Sequence, residues 1–443
     1  MKNLEIIDIG NNCEGIAKEN GKVYFVPKTL VGEKVVAKVV KEKSNFCNCH
    51  LDNVQAVSKD RTIPQCKYYD ICGGCQLQHT SYQNQLSIKK QTTQNTINKI
   101  SKLNIEIDEV VASDKEFGYR NKMVFAINRD SKICMHDVDG KLFCVDKCIL
   151  ASEGINKILA LAQEYIVAKK LKGFDEKLHR GYLRYLVVRE LNDNFLITFV
   201  IANNDTKSLV DFAKVLEKNE ISYGLFANIN TERNSLILTE KFVYISGEKT
   251  LKGEYKTQSG KVINYPISPG SFMQVNNHIK DEIYSLVEEN LKGYKFVVDA
   301  YSGAGLLTAI ISQNVDYVVG IEVVKAATYD ANKLKDSNGI TNITNINADC
   351  VVGIDKALGI GKCEDFAVVL DPPRKGADQV VLDKVIKANP SRIIYVSCNP
   401  ATLARDLAIL NSSYEIKDIK LFDMFANTCE IETVVTLDRR SKR

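Results

Sequence analysis

Short apolar runs alternate with stretches of helical period from residue 266 to the C-terminus. Runs rich in β-branched residues predict buried strands at residues 296–300, 317–321, 344–348, 366–370 and 392–396. Two further strands, at 416–422 and 431–437, are separated by only a short loop and are therefore expected to pair antiparallel. Strands and helices in this order predict a Rossmann-like sheet with a reversed last strand.

A helix is predicted at residues 277–291, directly before this sheet, because its apolar positions recur at helical spacing and Gly293 follows it. These positions are Ile279, Ile283, Leu286, Val287 and Leu291. The turn before the helix reads S-F-M-Q-V-N and contains Gln274. The α/β domain is therefore expected to begin near residue 266.

The pattern before residue 266 contains more strands. Residues 1–59 predict a small β-barrel, with strands at 4–9, 22–26, 35–40 and 49–57. The middle region mixes helices at 83–100 and 155–169 with strands at 183–190, 195–201 and 236–239. The expected fold is thus an α/β multidomain protein divided as 1–59, 60–265 and 266–443, in which part of 83–118 can pack on the last domain.

Composition limits the class and the compartment. With 443 residues and 45% hydrophobic content, the chain can bury large cores. Its net charge of +4 permits an acidic partner but does not require one. Because no apolar run reaches membrane-spanning length and the start M-K-N-L-E-I-I-D lacks a signal-peptide core, a cytoplasmic location without a membrane partner is expected. Nothing in the sequence indicates an obligate protein partner.

Thirteen cysteines in a chain without an export signal indicate metal ligands or catalytic thiols rather than disulfides. A C-x5-C-x2-C cluster is formed by Cys66, Cys72 and Cys75. The glycines between the last two let the backbone fold tightly around one centre, but a fourth ligand is missing. The downstream candidates are Cys134, Cys144 and Cys148. Spacing alone does not distinguish a [4Fe–4S] cluster from zinc.

A nucleoside-binding site is predicted at the ends of the first three strands of the last domain. The first strand runs into D-A-Y-S-G-A-G, which lacks the third glycine of a dinucleotide fingerprint and so disfavours a pyrophosphate ligand. Acidic residues follow the next two strands, suited to a ribose diol and an adenine amine. Such a set fits S-adenosylmethionine, and its members are Asp299, Tyr301, Ser302, Gly303, Gly305, Glu322 and Asp349.

The next two strands end in D-P-P-R-K-G and S-C-N-P. In the first motif Asp371 can accept from the imide of a base, and Arg374 stands where amino-methyltransferases carry an aromatic residue. In the second, Cys398 lies at a strand end and close to a helix N-terminus capped by Asn399, where a thiolate is expected to be stabilised. The alternative for Cys398 is a buried structural cysteine.

Taken in order, S-F-M-Q-V-N, D-A-Y-S-G-A-G, G-I-E, D-P-P-R-K-G, S-C-N-P-A-T-L-A-R-D and E-I-E-T-V-V resemble the bacterial RNA uracil-C5 methyltransferase family. The first 59 residues resemble the TRAM domain, an OB-like barrel of RNA-modifying enzymes. Together with the cysteine cluster, this barrel indicates the 23S rRNA branch, which carries an iron–sulfur cluster. The resemblance implies Cys148 as the fourth cluster ligand.

The resemblance also implies the chemistry: methylation of uracil C5 in 23S rRNA by an RNA (uracil-C5-)-methyltransferase that uses S-adenosylmethionine. Uracil C5 needs a thiolate at C6 before it can attack a sulfonium methyl, and Cys398 is the expected nucleophile. Glu432 is the expected base that removes the C5 proton. Asp371 would hold the imide, and Gln274 would contact the base or the cofactor.

The loop before Glu432 departs from the family pattern D-M-F-P-H-T-x-H-V-E. Ala426, Asn427 and Glu430 replace its proline and both histidines, which puts loop rigidity and proton removal in question. Cys429 in this loop is a possible oxidation partner. The alternatives to 23S rRNA methylation are the same reaction on tRNA and a non-catalytic RNA-binding or chaperone protein.

Overall fold

The N-terminal barrel is built from one curved sheet. This computed structural model describes residues 1–361 and 363–441. The strands of the barrel are β1 (Lys2–Glu5), β2 (Asp8–Ile9), β3 (Gly15–Glu19), β4 (Lys22–Val26), β5 (Lys34–Glu42) and β6 (Phe46–Ala56). They pair in the order β1-β5-β6-β4-β3-β2. Register shifts along β5 and β6 let these two long strands bend around a core that includes Tyr24, Val26 and Val35.

A helix and a short strand follow the cysteine-rich segment. They are α1 (Tyr82–Ser101) and β7 (Glu109–Val111). Ser81 caps α1 by accepting a hydrogen bond from the N–H of Asn84, and the helix ends at Lys102 in a left-handed conformation. β7 runs parallel to a strand of the C-terminal sheet, and Ile97 and Ile107 lie in the core of that sheet. Residues 82–111 therefore pack with the C-terminal region.

The central region is a mixed sheet with helices on one face. Its strands are β8 (Lys122–Ile127), β9 (Ile133–His136), β10 (Leu142–Cys144), β11 (Leu183–Leu191), β12 (Asn194–Ile201), β13 (Ser222–Ile229) and β14 (Phe242–Gly247). The helices are α2 (Glu153–Ala168) and α3 (Lys207–Lys218), and the sheet order is β10-β9-β8-β11-β12-β13-β14. The predicted strand at 236–239 is wrong, because the side-chain amides of Asn228 and Asn230 hold its carbonyls in an irregular loop.

The C-terminal region is the predicted Rossmann-like sheet. A hairpin of β15 (Leu251–Lys256) and β16 (Val262–Ile267) packs on its core. The remaining elements are α4 (Asn277–Leu291), β17 (Phe296–Ala300), α5 (Leu306–Ile311), β18 (Tyr317–Glu322), α6 (Lys325–Ser337), β19 (Ile343–Asn347), α7 (Cys350–Ile360), β20 (Phe366–Leu370), α8 (Gln379–Ala388), β21 (Arg392–Ser397), α9 (Pro400–Leu410), β22 (Tyr414–Phe422) and β23 (Glu432–Arg439).

The strand order in this sheet is β19-β18-β17-β20-β21-β23-β22-β7. β17 to β21 are parallel, and β23 runs antiparallel to both β21 and β22, which confirms the predicted reversed strand. The order reverses between β17 and β20, where doubly wound sheets bind their ligands. The domain limits at 59/60 and 265/266 stay a prediction.

Among the helices of the described residues, none combines the length and the apolar character that crossing a membrane requires.

Candidate active site

Cys398 and Glu432 meet at the carboxyl end of β21. Cys398 follows the last residue of this strand, and Glu432 is the first residue of β23. Because the two strands are antiparallel and pair Ser397 with Thr433, the next residues along, Cys398 and Glu432, lie side by side. Glu432 is 7% exposed and Cys398 is half-buried. A thiol and a carboxyl from distant parts of the sequence thus share one small volume.

The surroundings of Cys398 disfavour its thiolate. Burial and the Glu432 carboxyl raise the pKa of the thiol to about 11, while Arg374 acts in the opposite direction. The sequence predicts the reverse, a thiolate stabilised by the helix end. Asn399 does cap α9, since its Oδ1 accepts from the N–H of Ala401 at 3.0 Å. Burial and the neighbouring carboxyls outweigh this helix end, so the thiol is protonated in the protein alone.

The carboxyls of Glu432 and Asp371 titrate near neutral pH. Burial raises the pKa of Glu432 to about 8, with Asp371 and Glu430 acting in the same direction. Asp371 is open to a cavity but enclosed by protein on its other sides, and this desolvation raises its pKa to about 7. A carboxyl that titrates near the working pH suits a group that takes up and releases a proton.

The loop after β20, residues 371–376, is fixed by α9. The Nδ2 of Asn399 donates to the carbonyl of Arg374 at 3.0 Å. The Asp406 carboxylate, which is fully buried, accepts from the N–H of Ala377 at 2.9 Å, and Arg405 donates to the carbonyl of Ala377 at 3.0 Å. No role for Arg405 or Asp406 follows from strand and helix patterns. The one indication of these two residues in the sequence is that the motif S-C-N-P-A-T-L-A-R-D extends to them.

A cavity of about 130 Å³ opens between the ends of β17 and β20. It brings together most of the predicted cofactor contacts, namely Gln274, Asp299, Tyr301, Ser302, Gly303, Gly305 and Asp371. Gly305 has a φ of 81°, and a Cβ there would lie 2.7 Å from the Cβ of Ala331. Only glycine fits this turn. The predicted binding turn and the predicted imide acceptor therefore line the same cavity.

Three acidic residues surround the cavity in different ways. Asp299 is buried and accepts from the hydroxyl of Thr308 at 2.6 Å, and burial raises its pKa to about 7. Glu322 lies outside the lining, but its Oε2 accepts from the N–H of Gly303 at 3.0 Å and so supports the turn. Asp349 also lies outside the lining and caps α7 by accepting from the N–H of Val351 at 2.8 Å.

Lys280 is a buried cation in the lining of this cavity that the sequence pattern does not reveal. It is 6% exposed, and its Nζ donates to the hydroxyl of Tyr265 at 2.9 Å. It lies beside the apolar stripe of α4, where a lysine ordinarily faces solvent. Only the position of the cavity shows that it faces inward.

The cysteines implied as cluster ligands lie in one region. They are Cys66, Cys72, Cys75 and Cys148, all half-buried. Burial is the largest cause that raises the pKa of the first three, and a charge on Cys148 raises each of them further. Cys134 and Cys144 instead face each other on paired strands, with 3.7 Å between their sulfurs. Within the described residues, no group of three His, Cys, Asp or Glu side chains is arranged to hold one metal ion.

The chain matches the model of the tRNA (Uracil-5-)-methyltransferase family over residues 81–440. It belongs to the RNA uracil-C5 methyltransferase family. Residues 2–48 of this methyltransferase match the TRAM domain. The predicted family, barrel and enzyme class are therefore confirmed.

Relatives of this methyltransferase extend over its whole length. An uncharacterized RNA methyltransferase of Clostridium acetobutylicum is 34% identical, covering 99% of this chain and 97% of its own. A second, from Halalkalibacterium halodurans, is 32% identical over 99% of this chain and 97% of its own. The crystal structure of the Pyrococcus abyssi tRNA (uracil-54, C5)-methyltransferase in complex with S-adenosyl-L-homocysteine is 25% identical, with a TM-score of 0.80 over 98% of this chain and 99% of that one. The predicted class I methyltransferase fold is confirmed.

At the level of the family, the methyl donor and an RNA substrate are also confirmed, since the family consists of RNA methyltransferases. Which RNA is methylated, what Cys398 and Glu432 do, and whether a cluster is bound stay predictions.

A buried ion pair joins the loop before Glu432 to α1. The Nζ of Lys89 lies 2.5 Å from the Oδ1 of Asp423, and both side chains are fully buried. Lys89 also donates to the carbonyl of Phe425 at 3.1 Å, and the hydroxyl of Tyr82 donates to Asp423 at 2.7 Å. Lys89, on the helix predicted at residues 83–100, thus points inward, at the loop that precedes Glu432.

Proposed function

We propose that this methyltransferase forms 5-methyluridine through a covalent adduct between Cys398 and C6 of the target uracil. The observation that carries the proposal is the register of β21 and β23, which sets Cys398 beside Glu432. Asp371 adds a third polar group, close enough to act on the pKa of both side chains. A buried structural cysteine would not need two neighbouring carboxyls that titrate near neutral pH.

The proposed steps begin at the thiol. Cys398 releases its proton to solvent and its sulfur adds to C6, which moves the electron pair of the C5–C6 bond onto C5 and the carbonyl oxygen at C4. After C5 has gained the methyl group, Glu432 removes the remaining C5 proton, the C5–C6 double bond re-forms and the sulfur leaves. Because the pKa of Cys398 is about 11 in the protein alone, a bound uracil and the cation of Arg374 must assist its deprotonation.

The donor is assigned to the cavity between β17 and β20. When bound, S-adenosylmethionine supplies an electrophilic methyl on a cationic sulfur. The buried carboxyl of Asp299 and the carboxyl of Asp371, which is open to the cavity, fit a cationic ligand, and the narrow turn at Gly303 to Gly305 lets a nucleoside approach the backbone. Gln274 lines the same cavity and is proposed to contact the donor or the base. Glu322 and Asp349 are proposed to bind the ribose and the adenine.

We infer that the RNA is 23S rRNA. The barrel and the four cysteines support this branch of the family. Transfer RNA is the second candidate, because the P. abyssi enzyme is a tRNA (uracil-54, C5)-methyltransferase that covers 98% of this chain. An architecture shared over that length means that the barrel alone does not distinguish the two RNAs. A protein that only binds RNA would not need the facing thiol and carboxyl.

The test compares both RNAs in the same cells. Deleting the protein is expected to remove 5-methyluridine from 23S rRNA and to leave tRNA unchanged; loss from tRNA alone would contradict the rRNA assignment. Purified Cys398→Ala enzyme is expected to bind RNA and form no 5-methyluridine, because the variant lacks the thiol that stands opposite Glu432. Methylation by Cys398→Ala would contradict the covalent mechanism.

We further propose that Cys66, Cys72, Cys75 and Cys148 hold a [4Fe–4S] cluster. The donor set fits, because four thiols of one region act on one another electrostatically. Anaerobic purification is expected to give a brown protein whose absorption is lost in Cys148→Ala. A colourless zinc protein would contradict the cluster.

A further inference from the structure

The loop between β22 and β23, residues 423–431, departs from the family pattern but is tightly held. Asn427 lies at its bend with a φ of 68° and is 1% exposed. Asparagine is among the few residues other than glycine that adopt this left-handed conformation readily. The residue that replaces a histidine of the family pattern therefore suits the backbone of this loop.

Every polar group of Asn427 is hydrogen-bonded. Its backbone N–H donates to the Oε1 of Gln85 at 3.0 Å, and the Nε2 of Gln85 donates back to the Oδ1 of Asn427 at 3.1 Å. Its Nδ2 donates to the carbonyl of Glu116 at 2.7 Å. Its own carbonyl accepts from the N–H groups of Gln76 and Leu77, both at 3.1 Å. These bonds are buried, so breaking one leaves an unsatisfied group.

The cysteine-rich segment also bonds to this loop at Cys429, two residues after Asn427. The Oε1 of Gln76 accepts from the N–H of Cys429 at 3.2 Å, and its Nε2 donates to the carbonyl of Gly73 at 2.9 Å. The hydroxyl of Tyr119 donates to the carbonyl of Ala426 at 3.0 Å. Three separate segments of the N-terminal half therefore fix residues 426–429, three residues before Glu432.

We propose that Asn427, Gln85 and Gln76 form a positioning unit that holds Glu432 opposite Cys398, in the place of the proline and histidines of the family pattern. This inference rests on the proposed function, because it assumes that Glu432 removes the C5 proton. Cys398, Arg374 and Glu430 line a second cavity, of about 390 Å³. None of the three residues of the unit lines it, so the unit acts through the backbone of the loop.

The expected consequence is confined to one step of the reaction. Formation of the adduct depends on Cys398 and Asp371, which other elements hold. Removal of the C5 proton depends on the carboxyl of Glu432, which stands where the loop of residues 423–431 enters β23 and pairs with Phe422 of β22. A misplacement of about 1 Å costs up to about a hundredfold in rate. Loosening the unit should therefore slow proton removal and let the adduct accumulate.

The test uses Gln85→Leu and Asn427→Gly with RNA that carries deuterium at uracil C5. Both variants are expected to slow turnover by about tenfold or more at unchanged KM for RNA and donor. The deuterium isotope effect should rise above that of the wild type, and a retarded RNA–protein band should appear on a denaturing gel. Asn427→Asp replaces the donor to the Glu116 carbonyl by a buried carboxylate oxygen that repels it, and this variant is expected to shift both readouts in the same direction.

Asn228→Ala is the matched control. Asn228 is equally buried and also makes paired bonds, to the N–H and carbonyl of Thr239 in the central sheet, at 3.0 and 2.9 Å. It should lower thermal stability without changing the isotope effect. Gln85→Glu keeps the acceptor for the Asn427 N–H but replaces the donor to the Asn427 Oδ1 by a second acceptor, so it is expected to recover part of the activity that Gln85→Leu loses.

An unchanged isotope effect in Gln85→Leu and Asn427→Asp, together with a trapped adduct in Glu432→Gln, would overturn the positioning unit and leave the proposed function standing. Methylation by Cys398→Ala would overturn the proposed function itself. The two failures are therefore distinguishable.

Discussion

The donor cavity and the loop before Glu432 are held in opposite ways. The cavity is lined by residues between 265 and 371, and the hydrogen bonds that support its first turn come from nearby in sequence: Thr308 holds Asp299, and Glu322 holds the N–H of Gly303. The loop is held from more than 300 positions away, by Lys89 on Asp423 and by Gln85 on Asn427. Donor binding is thus local to the C-terminal sheet, whereas the proposed base depends on the N-terminal half.

Because of this difference, variants of the cavity and variants of the loop should show two different functional defects. Damage to the cavity should weaken the affinity for the donor and leave the chemistry intact once the donor is bound. Damage to the loop or to its distant supports should leave binding intact and affect the resolution of the adduct.

The largest effect is expected from Glu432→Gln. The amide cannot accept the C5 proton, so methylation should fall by at least about a thousandfold, within the range of general base catalysis. The adduct should accumulate as a band of lower mobility on a denaturing gel, because the steps before proton removal do not need the carboxylate. Removing the carboxylate also removes the main charge that raises the pKa of Cys398, so the adduct should form readily.

Glu430→Gln is the neighbouring control, since Glu430 pairs with Arg374 at 3.3 Å and is partly exposed. It should reduce methylation only slightly. A Glu432→Gln enzyme that turns over without any trapped adduct would contradict the role of base.

The next effect is expected from Lys89→Met. It leaves the fully buried Asp423 carboxylate without its cation, which costs about 3–5 kcal/mol of unfolding free energy. The loss should be measurable by urea unfolding. The surviving folded enzyme should bind the donor normally and accumulate the adduct, because the cavity does not depend on α1.

Lys169→Met is the matched control, because Lys169 and Asp211 form a pair at 2.7 Å with 45% of each side chain exposed. Such pairs contribute about 0–1 kcal/mol. Replacing both partners, as in Lys89→Met with Asp423→Leu, should recover part of the lost stability. If Lys89→Met unfolded at the same urea concentration as Lys169→Met, the long-range support of the loop would be refuted.

The same contrast explains what the sequence predicts and what it does not. The strands at 296–300 and 366–370 and the helix at 277–291 lie where the structure has them, because their apolar periods are strong and their ends carry Gly or Pro. The turns that line the cavity after β17 and β20 were also predictable, since they follow these strands directly, whereas the inward-facing Lys280 of α4 was not. Local pattern and strand order are sufficient for a site built from consecutive turns.

Contacts between distant polar residues leave no such pattern. Gln85 and Lys89 read as the polar side of an amphipathic helix, and only the tertiary structure shows that both are buried against the loop. The protonated state of Cys398 was missed for the same reason. The helix end is visible in the sequence, but the burial and the facing Glu432 depend on a strand that begins 34 positions after Cys398.

The smallest effect is a pH dependence of donor affinity, which belongs to the cavity alone. The carboxyls of Asp299 and Asp371, each with a pKa of about 7, gain negative charge as the pH rises through neutrality. A cationic sulfonium binds the charged form better, so the Kd for S-adenosylmethionine should fall by up to about tenfold between about pH 6 and pH 8. S-adenosylhomocysteine has a neutral sulfur, and its Kd should change less over the same range.

Calorimetry is expected to give the same pH dependence of the Kd in the wild type and in Gln85→Leu, for each of the two ligands, since the loop supports lie outside the cavity. Equal slopes for the two ligands would show that the carboxyls do not sense the sulfonium, and a changed slope in Gln85→Leu would show that the cavity and the loop are not independent.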